Sequence, residues 1–328
     1  MSRRGWVLFA LMSVLWGIPY LMIKVAVEGG ISVPVLVFAR TALGALVLLP
    51  LAIWGSSGGG LATLRRHWKP IVAFAALEIL GPWALLSDAE RHLSSSMTGL
   101  LIAAVPIAGV VLARLAGDAE RLGPLRWLGL LTGLAGVAVL AAPHLSGDGS
   151  AWAIGEMALV VLGYSIAPMI AARRLGDVPG VQMTTACLVL AALVYAAPAA
   201  ATWPAEMPDG KVLAALAGLG VVCTALAFLV FFALIREAGT SRAMVFTYVN
   251  PAVAVTAGVL LLDEPLSGTI IAAFALILGG SVLATVRART DGEEPARRPG
   301  TAAEADTDDT DDTDDTDDAG APISAESR

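Results

Sequence analysis

Ten apolar runs follow one another along this chain, at about 5–27, 34–54, 70–88, 93–113, 125–142, 151–172, 180–200, 211–235, 243–262 and 267–287. A helix needs ~17–25 such residues to cross a bilayer. Inside the bilayer a segment must satisfy its own backbone polar groups, which favours helix for runs of this kind. The connections are short and leave no room for a separate soluble domain. The sequence therefore predicts an all-α integral membrane protein with ten transmembrane helices, its first partner being the lipid bilayer. Composition agrees: 57% of residues are hydrophobic and 15% charged, against ~25% charged in soluble domains.

Charge is placed unevenly. Residues 291–328 hold 14 of the 28 acidic residues and only Arg297, Arg298 and Arg328 as basic ones, a net charge of −11. The rest of the chain is therefore at +4. The stretch 288–328, with Thr-Asp-Asp repeated over 307–318, reads as a disordered acidic tail that cannot bury enough apolar surface to fold. Its aspartates lack the glycine turn and closing glutamate of a calcium loop. With the N-terminus inside, 14 basic residues fall on the cytoplasmic side, among them Arg3, Arg65, Arg114, Arg173, Arg236 and Arg287. Only Arg91 and Lys211 fall opposite. By the positive-inside rule both termini are cytoplasmic, in the plasma membrane. The opening "MSRRGW" precedes a long run containing Lys24 and no small-residue cleavage site, and reads as an uncleaved first helix.

The chain also repeats itself. "AGDAERLG" (116–123) and "LLDEPLSG" (261–268) each follow a proline-bearing apolar run, around Pro106 and Pro251, and each precedes a glycine-rich one. Five runs lie before the midpoint near Gly147 and five after it. An odd number per half inserts the second copy upside down, giving two inverted-topology repeats, 1–146 and 147–287. Such repeats are a signature of secondary transporters, whose halves exchange conformations to give alternating access.

The segments "LWGIPYLMIKVA" (15–26), "FARTALGALVLL" (38–49), 94–140 and its second copy 239–284 carry a resemblance to the drug/metabolite transporter superfamily, specifically its ten-helix EamA-type members. The resemblance covers roughly 5–287. It implies ten helices around a central cavity and export of small metabolites such as amino acids, or of toxic compounds. Glu78 and the form "AGDAERLG" depart from the pattern. The four-helix multidrug relatives depend on a glutamate in helix 1. Here helix 1 carries Lys24 and no embedded carboxylate, which disfavours cation-for-proton exchange of that kind.

Candidate site residues follow from the cost of placing charge in a bilayer, on the order of 3 kcal/mol by insertion scales. Lys24, Tyr20 and Trp16 share one helical face at i, i+4, i+8 spacing. They read either as an aromatic wall ending in a cation or with Lys24 snorkelling to the interface. Arg40, roughly 9 Å below its helix end, reads as a cavity or gate residue or as a structural clamp on carbonyls. Glu78, in mid-helix, could pair with Arg40, bind a substrate ammonium or carry a coupling proton. Tyr164, Tyr248 and Asn250 are uncharged candidates beside Pro168 and Pro251. Pro19, Pro106, Pro168 and Pro251 are candidate helix breaks, with helix irregularity alone as the alternative. Gly129, Gly133, Gly136, Gly279 and Gly280 are expected to allow close helix packing. Glu120 and Glu264 are expected near helix starts, favoured by the positive dipole end.

Other function classes lack their residues. No G-x-x-x-x-G-K-[ST] segment is present. His67, His92 and His144 have no ligand spacing, and Cys187 and Cys223 suggest neither disulfide nor metal site. No catalytic residue, metal, cofactor or nucleic-acid partner is expected. The expected partners are a small-molecule substrate and a coupling ion, proton or sodium. Multidrug efflux, metabolite import, a membrane enzyme and a non-transporting scaffold are the alternatives.

Overall fold

The computed structural model describes residues 1–55, 60–117, 123–144 and 150–285. Glu120, Gly147 and the stretch 288–328 lie outside the described residues, as do Arg287 and the rest of the acidic tail. The described residues are helical with no strand. Nine stretches among them are long and apolar enough to cross a membrane. These are α1 Arg3–Glu28, α2 Val33–Trp54, α3 Trp68–Ala89, α4 Ser95–Leu115, α5 Pro124–Ala141, α6 Ser150–Arg174, α7 Gly180–Ala201, α8 Gly210–Ala238 and α9 Met244–Leu261. Another helix, α10 Gly268–Thr285, is apolar and shorter.

Several ends are written locally. The Ser32 hydroxyl accepts the Val35 N–H at α2, Ser94 accepts that of Met97 at α4, and the Asp209 carboxylate accepts that of Val212 at α8. Each satisfies a donor that a helix start leaves orphaned. The tryptophans divide by place. Trp6, Trp54, Trp68, Trp127, Trp152 and Trp203 are exposed at or near helix ends, where an amphipathic ring suits the membrane–water boundary. Trp16 and Trp83 face inward instead.

Helix pairing crosses the midpoint of the chain. α5 packs along α10, α2 along α7, α4 against α9, α6 against α3, and α8 against both parts of α1. The α5–α10 seam is built from glycine. A Cβ at Gly129 would meet the Ala284 N at 2.4 Å, and one at Gly280 would meet the Gly133 N at 2.2 Å. Gly279 does not share this role: a Cβ there meets nothing within 4 Å, because it points away from the seam.

Helix breaks occur at three of the four expected prolines. α1 is interrupted at Trp16–Ile18 before Pro19, and α4 at Ala103–Ala104 before Pro106. α9 begins as a 3-10 turn, Met244–Tyr248, and becomes α-helical at Asn250 just before Pro251. Pro168 differs, lying inside the unbroken helix α6. The α4 break leaves the Ala103 carbonyl free of its helix, and Ser281 Oγ of α10 donates to it at 2.9 Å.

Two helices contain π-helical turns, Ala76–Leu80 in α3 and Gly218–Leu226 in α8. Such turns insert an extra residue into a helix and frequently sit at functional sites.

Candidate functional site: a central cavity

The broken and π-turned helices surround a cavity of about 640 Å³. Its walls come from α1, α2, α3, α4, α6, α8 and α9, while α5, α7 and α10 contribute no lining residue. Trp16, Tyr20, Trp83, Tyr164, Phe228 and Tyr248 supply aromatic surface. Pro19, Pro106, Pro168, Pro251 and Asn250 line it as well.

Among the described residues one cation and one carboxyl face this space, and each is set by a π-turn. In α8, Thr224 Oγ1 donates to the carbonyl of Leu219, five residues back, at 2.8 Å. That leaves the hydroxyl oxygen to accept Arg40 Nε at 3.1 Å. The guanidinium carbon lies over the Trp83 ring, 3.6 Å from its centroid, a cation–π contact. Beyond Nε, the terminal nitrogens make no hydrogen bond to another described residue. In α3, the π-turn carries Glu78 itself, whose Oε2 is buried without a hydrogen-bond partner. Arg40 and Glu78 form no ion pair with each other among the described residues, so neither group is spent on the other.

The aromatic candidates have definite settings. Trp16 sits in a ring cluster with Phe228, Phe231 and Phe246 at centroid distances of 5.5, 5.1 and 5.4 Å. Asn250 ties α9 to α1: with its nitrogen turned to two acceptors, it donates to the Phe246 and Ser13 carbonyls at 3.1 Å each. Tyr20 is buried and Tyr164 half-buried.

Lys24 is not part of the cavity wall. Its ammonium donates to the backbone carbonyls of Glu90 and Leu93 at 2.8 and 3.0 Å, and pairs with Glu28 at 3.3 Å. The end of a helix leaves carbonyls without intrahelical donors, and the end of α3 captures the cation one turn beyond Tyr20. It neither closes the aromatic wall nor reaches for the interface.

The two ends of the cavity differ. Met244 and Val245, at the start of α9, line it and are exposed. At the opposite end, Leu86, Ala89, Glu90, Leu93, Ser95 and Ser96 are buried. A side chain from the α9–α10 connection completes this closure. Glu264 Oε1 accepts the Ser95 N–H at 2.7 Å, and Oε2 accepts the Ser96 N–H at 3.0 Å together with the Ser96 hydroxyl. The carboxylate thus caps the start of α4 rather than that of the helix that follows it. Gly258 permits the approach, since a Cβ there would meet Glu264 Oε2 at 2.4 Å. The sequence marks Glu264 as a helix-start residue and gives no hint of which helix.

Residues 3–142, which hold α1–α5, match the EamA-like transporter family, and residues 151–286, which hold α6–α10, match it again. The "Uncharacterized inner membrane transporter YedA" of Escherichia coli (strain K12) is 28% identical over 283 residues, covering 85% of this chain and 89% of YedA. The "Aromatic amino acid exporter YddG" of Ancylobacter novellus is 28% identical over 239 residues, covering 71% of this chain and 81% of YddG. A solved crystal structure, 22% identical, shares the fold with a TM-score of 0.63 over 87% of this chain and 98% of its own. The chain therefore belongs to the EamA-like transporter family of the drug/metabolite transporter superfamily and is a multi-pass membrane transporter.

Proposed function

We propose that the protein is a secondary transporter exporting zwitterionic, amino-acid-like solutes with a large apolar group, by alternating access of two inverted five-helix halves. The observation that carries this reading is the cavity's pair of uncommitted charges. A guanidinium with free terminal nitrogens suits a carboxylate, which it can bind bidentately. A carboxyl with an unpartnered oxygen suits an ammonium group. The aromatic wall between them suits an apolar side chain, and about 640 Å³ lies within the size range of small-molecule sites. The activity printed for YddG, aromatic amino acid export, agrees with this chemistry.

The pairing of helices supports the repeat. Exchanging each helix of α1–α5 with the one five places later leaves the set of principal contacts unchanged. The loop-charge bias makes the Met244 end cytoplasmic, so the cavity is open to the side from which an exporter loads. Pro19, Pro106 and Pro251 mark the breaks at which the halves can flex. A proton or sodium ion supplies the drive.

Competition in proteoliposome counterflow tests the recognition. Against a labelled aromatic amino acid, phenethylamine lacks the carboxylate and phenylpropionate lacks the ammonium. Each should compete about tenfold less well, equivalent to ~1.4 kcal/mol. Equal potency of either analogue with the parent amino acid would remove the basis for two-charge recognition.

A further inference from the structure

Glu90 follows the last residue of α3, at the closed end of the cavity. Its side chain is fully buried, and neither carboxyl oxygen has a hydrogen-bond partner among the described residues. It does not line the cavity, so solute binding does not account for it. The charged and titratable groups facing it are Lys24, Glu28 and Tyr20 on α1, Arg40 on α2 and Glu264 on the α9–α10 connection. On its own helix end, Asp88 pairs with Arg91 at 3.3 Å. The nearby Lys24 ammonium is committed to the backbone carbonyls of Glu90 and Leu93 and to Glu28. It therefore serves the backbone of Glu90 and gives its carboxyl no hydrogen bond.

A carboxyl in a dry site with no donor takes up a proton rather than stay ionised. Burial pushes Glu90 well above the usual carboxylate range. Lys24 pulls it back and Glu264 adds to the rise, while the smaller contributions of Arg40 and Glu28 oppose each other. A few residues along the chain from Glu90 lies the Glu264 grip on Ser95 and Ser96. We propose that Glu90 is a proton-binding site that ties closure of this end to pH. It holds a proton while Glu264 grips α4 and gives that proton to external water when the grip releases. On release the O–H bond breaks, the proton passes to solvent, and both carboxylate oxygens become hydrated.

The closed form binds one more proton than the open form. Acid therefore favours closure, and closure weakens as pH rises through the raised pKa of the closed state. The assignment of this end to the outside rests on the transporter reading above. The tests need no solute, so they fail or succeed independently of the amino-acid specificity.

Two measurements on the full-length protein in lipid nanodiscs decide it. The infrared carbonyl absorption of protonated carboxyls should be present at neutral pH, and it should lose in Glu90→Gln a component that Glu78→Gln retains. Amide-exchange protection over Ser95–Thr98 should fall roughly tenfold or more from mildly acid to mildly alkaline buffer, after correction for intrinsic exchange. In Glu90→Gln it should stay flat at the protected level. A carbonyl absorption left unchanged by Glu90→Gln overturns the proposal. So does wild-type protection that ignores pH, or a pH response abolished by Glu264→Gln and retained in Glu90→Gln. If Glu90→Gln does not fold, Glu90→Met, apolar and of similar length, takes its place in both measurements with the same expected and overturning results.

Discussion

Arg40 shows how closely one side chain can be specified by its surroundings. Its Nε is held by Thr224 and its guanidinium lies over the Trp83 ring. Lysine would keep the charge and lose both the guanidinium's contact with the ring and the fork of donors. Arg40→Lys and Glu78→Gln are each expected to cut transport by about tenfold or more, the equivalent of one lost charge-assisted contact. Melting should change little. Because the two residues do not touch, the double mutant's stability should equal the sum of the singles within ~0.5 kcal/mol. A coupling of several kcal/mol in chemical unfolding would instead reveal a structural ion pair. Arg40 and Glu78 were legible in the sequence because charge deep in an apolar run is rarely idle. Lys24 was legible as an embedded cation, but not in its target. Helical spacing says which residues share a face, whereas the carbonyls that capture Lys24 belong to another helix end. Glu90 was not legible at all. Its neighbours Asp88, Arg91 and His92 make the segment read as a solvated loop, and only the packed structure shows the side chain turned inward.

Among the elements, the apolar helices of the described residues, nine of them long enough to cross a membrane, and the breaks near Pro19, Pro106 and Pro251 could be read from run length and proline placement. The π-turns could not, since inserting one residue into a helical turn leaves no mark in an apolar sequence. Their consequence is nevertheless large: Thr224 and Glu78 owe their positions to them. The glycine seam was half legible. Adjacent glycines at 279 and 280 look equivalent in sequence, yet about 100° of helical rotation separates them. Gly280→Ala drives a Cβ against the backbone of Gly133, which cannot rotate away. It should cost about 1–3 kcal/mol of stability through overpacking. Gly279→Ala meets open space and should be neutral or stabilising by up to ~1 kcal/mol, the helix propensity difference. Thermal unfolding of the two variants side by side checks the seam. Equal melting temperatures would show that α5 and α10 do not approach so closely.

At the level of the whole molecule, the proposed orientation of the bundle rests on loop charge alone. A single cysteine at position 148 should react with an impermeant reagent from outside intact cells, and one at position 67 only after the membrane is opened. Labelling of position 67 from outside would reverse the bundle and, with it, the direction in which the cavity opens. The helix pairing has a further consequence in time. Both parts of α1 lie against α8, which is synthesised some 200 residues later, and Arg40 waits for Thr224 over a similar stretch. At ~5–20 residues per second, the first helices spend roughly 10–40 s in the bilayer before their partners exist. Through that interval Arg40 has no Thr224 to bond and α1 no α8 to cover it. The first half of the chain is thus a long-lived assembly intermediate, exposed to whatever insertion and quality-control machinery watches over unfinished membrane proteins.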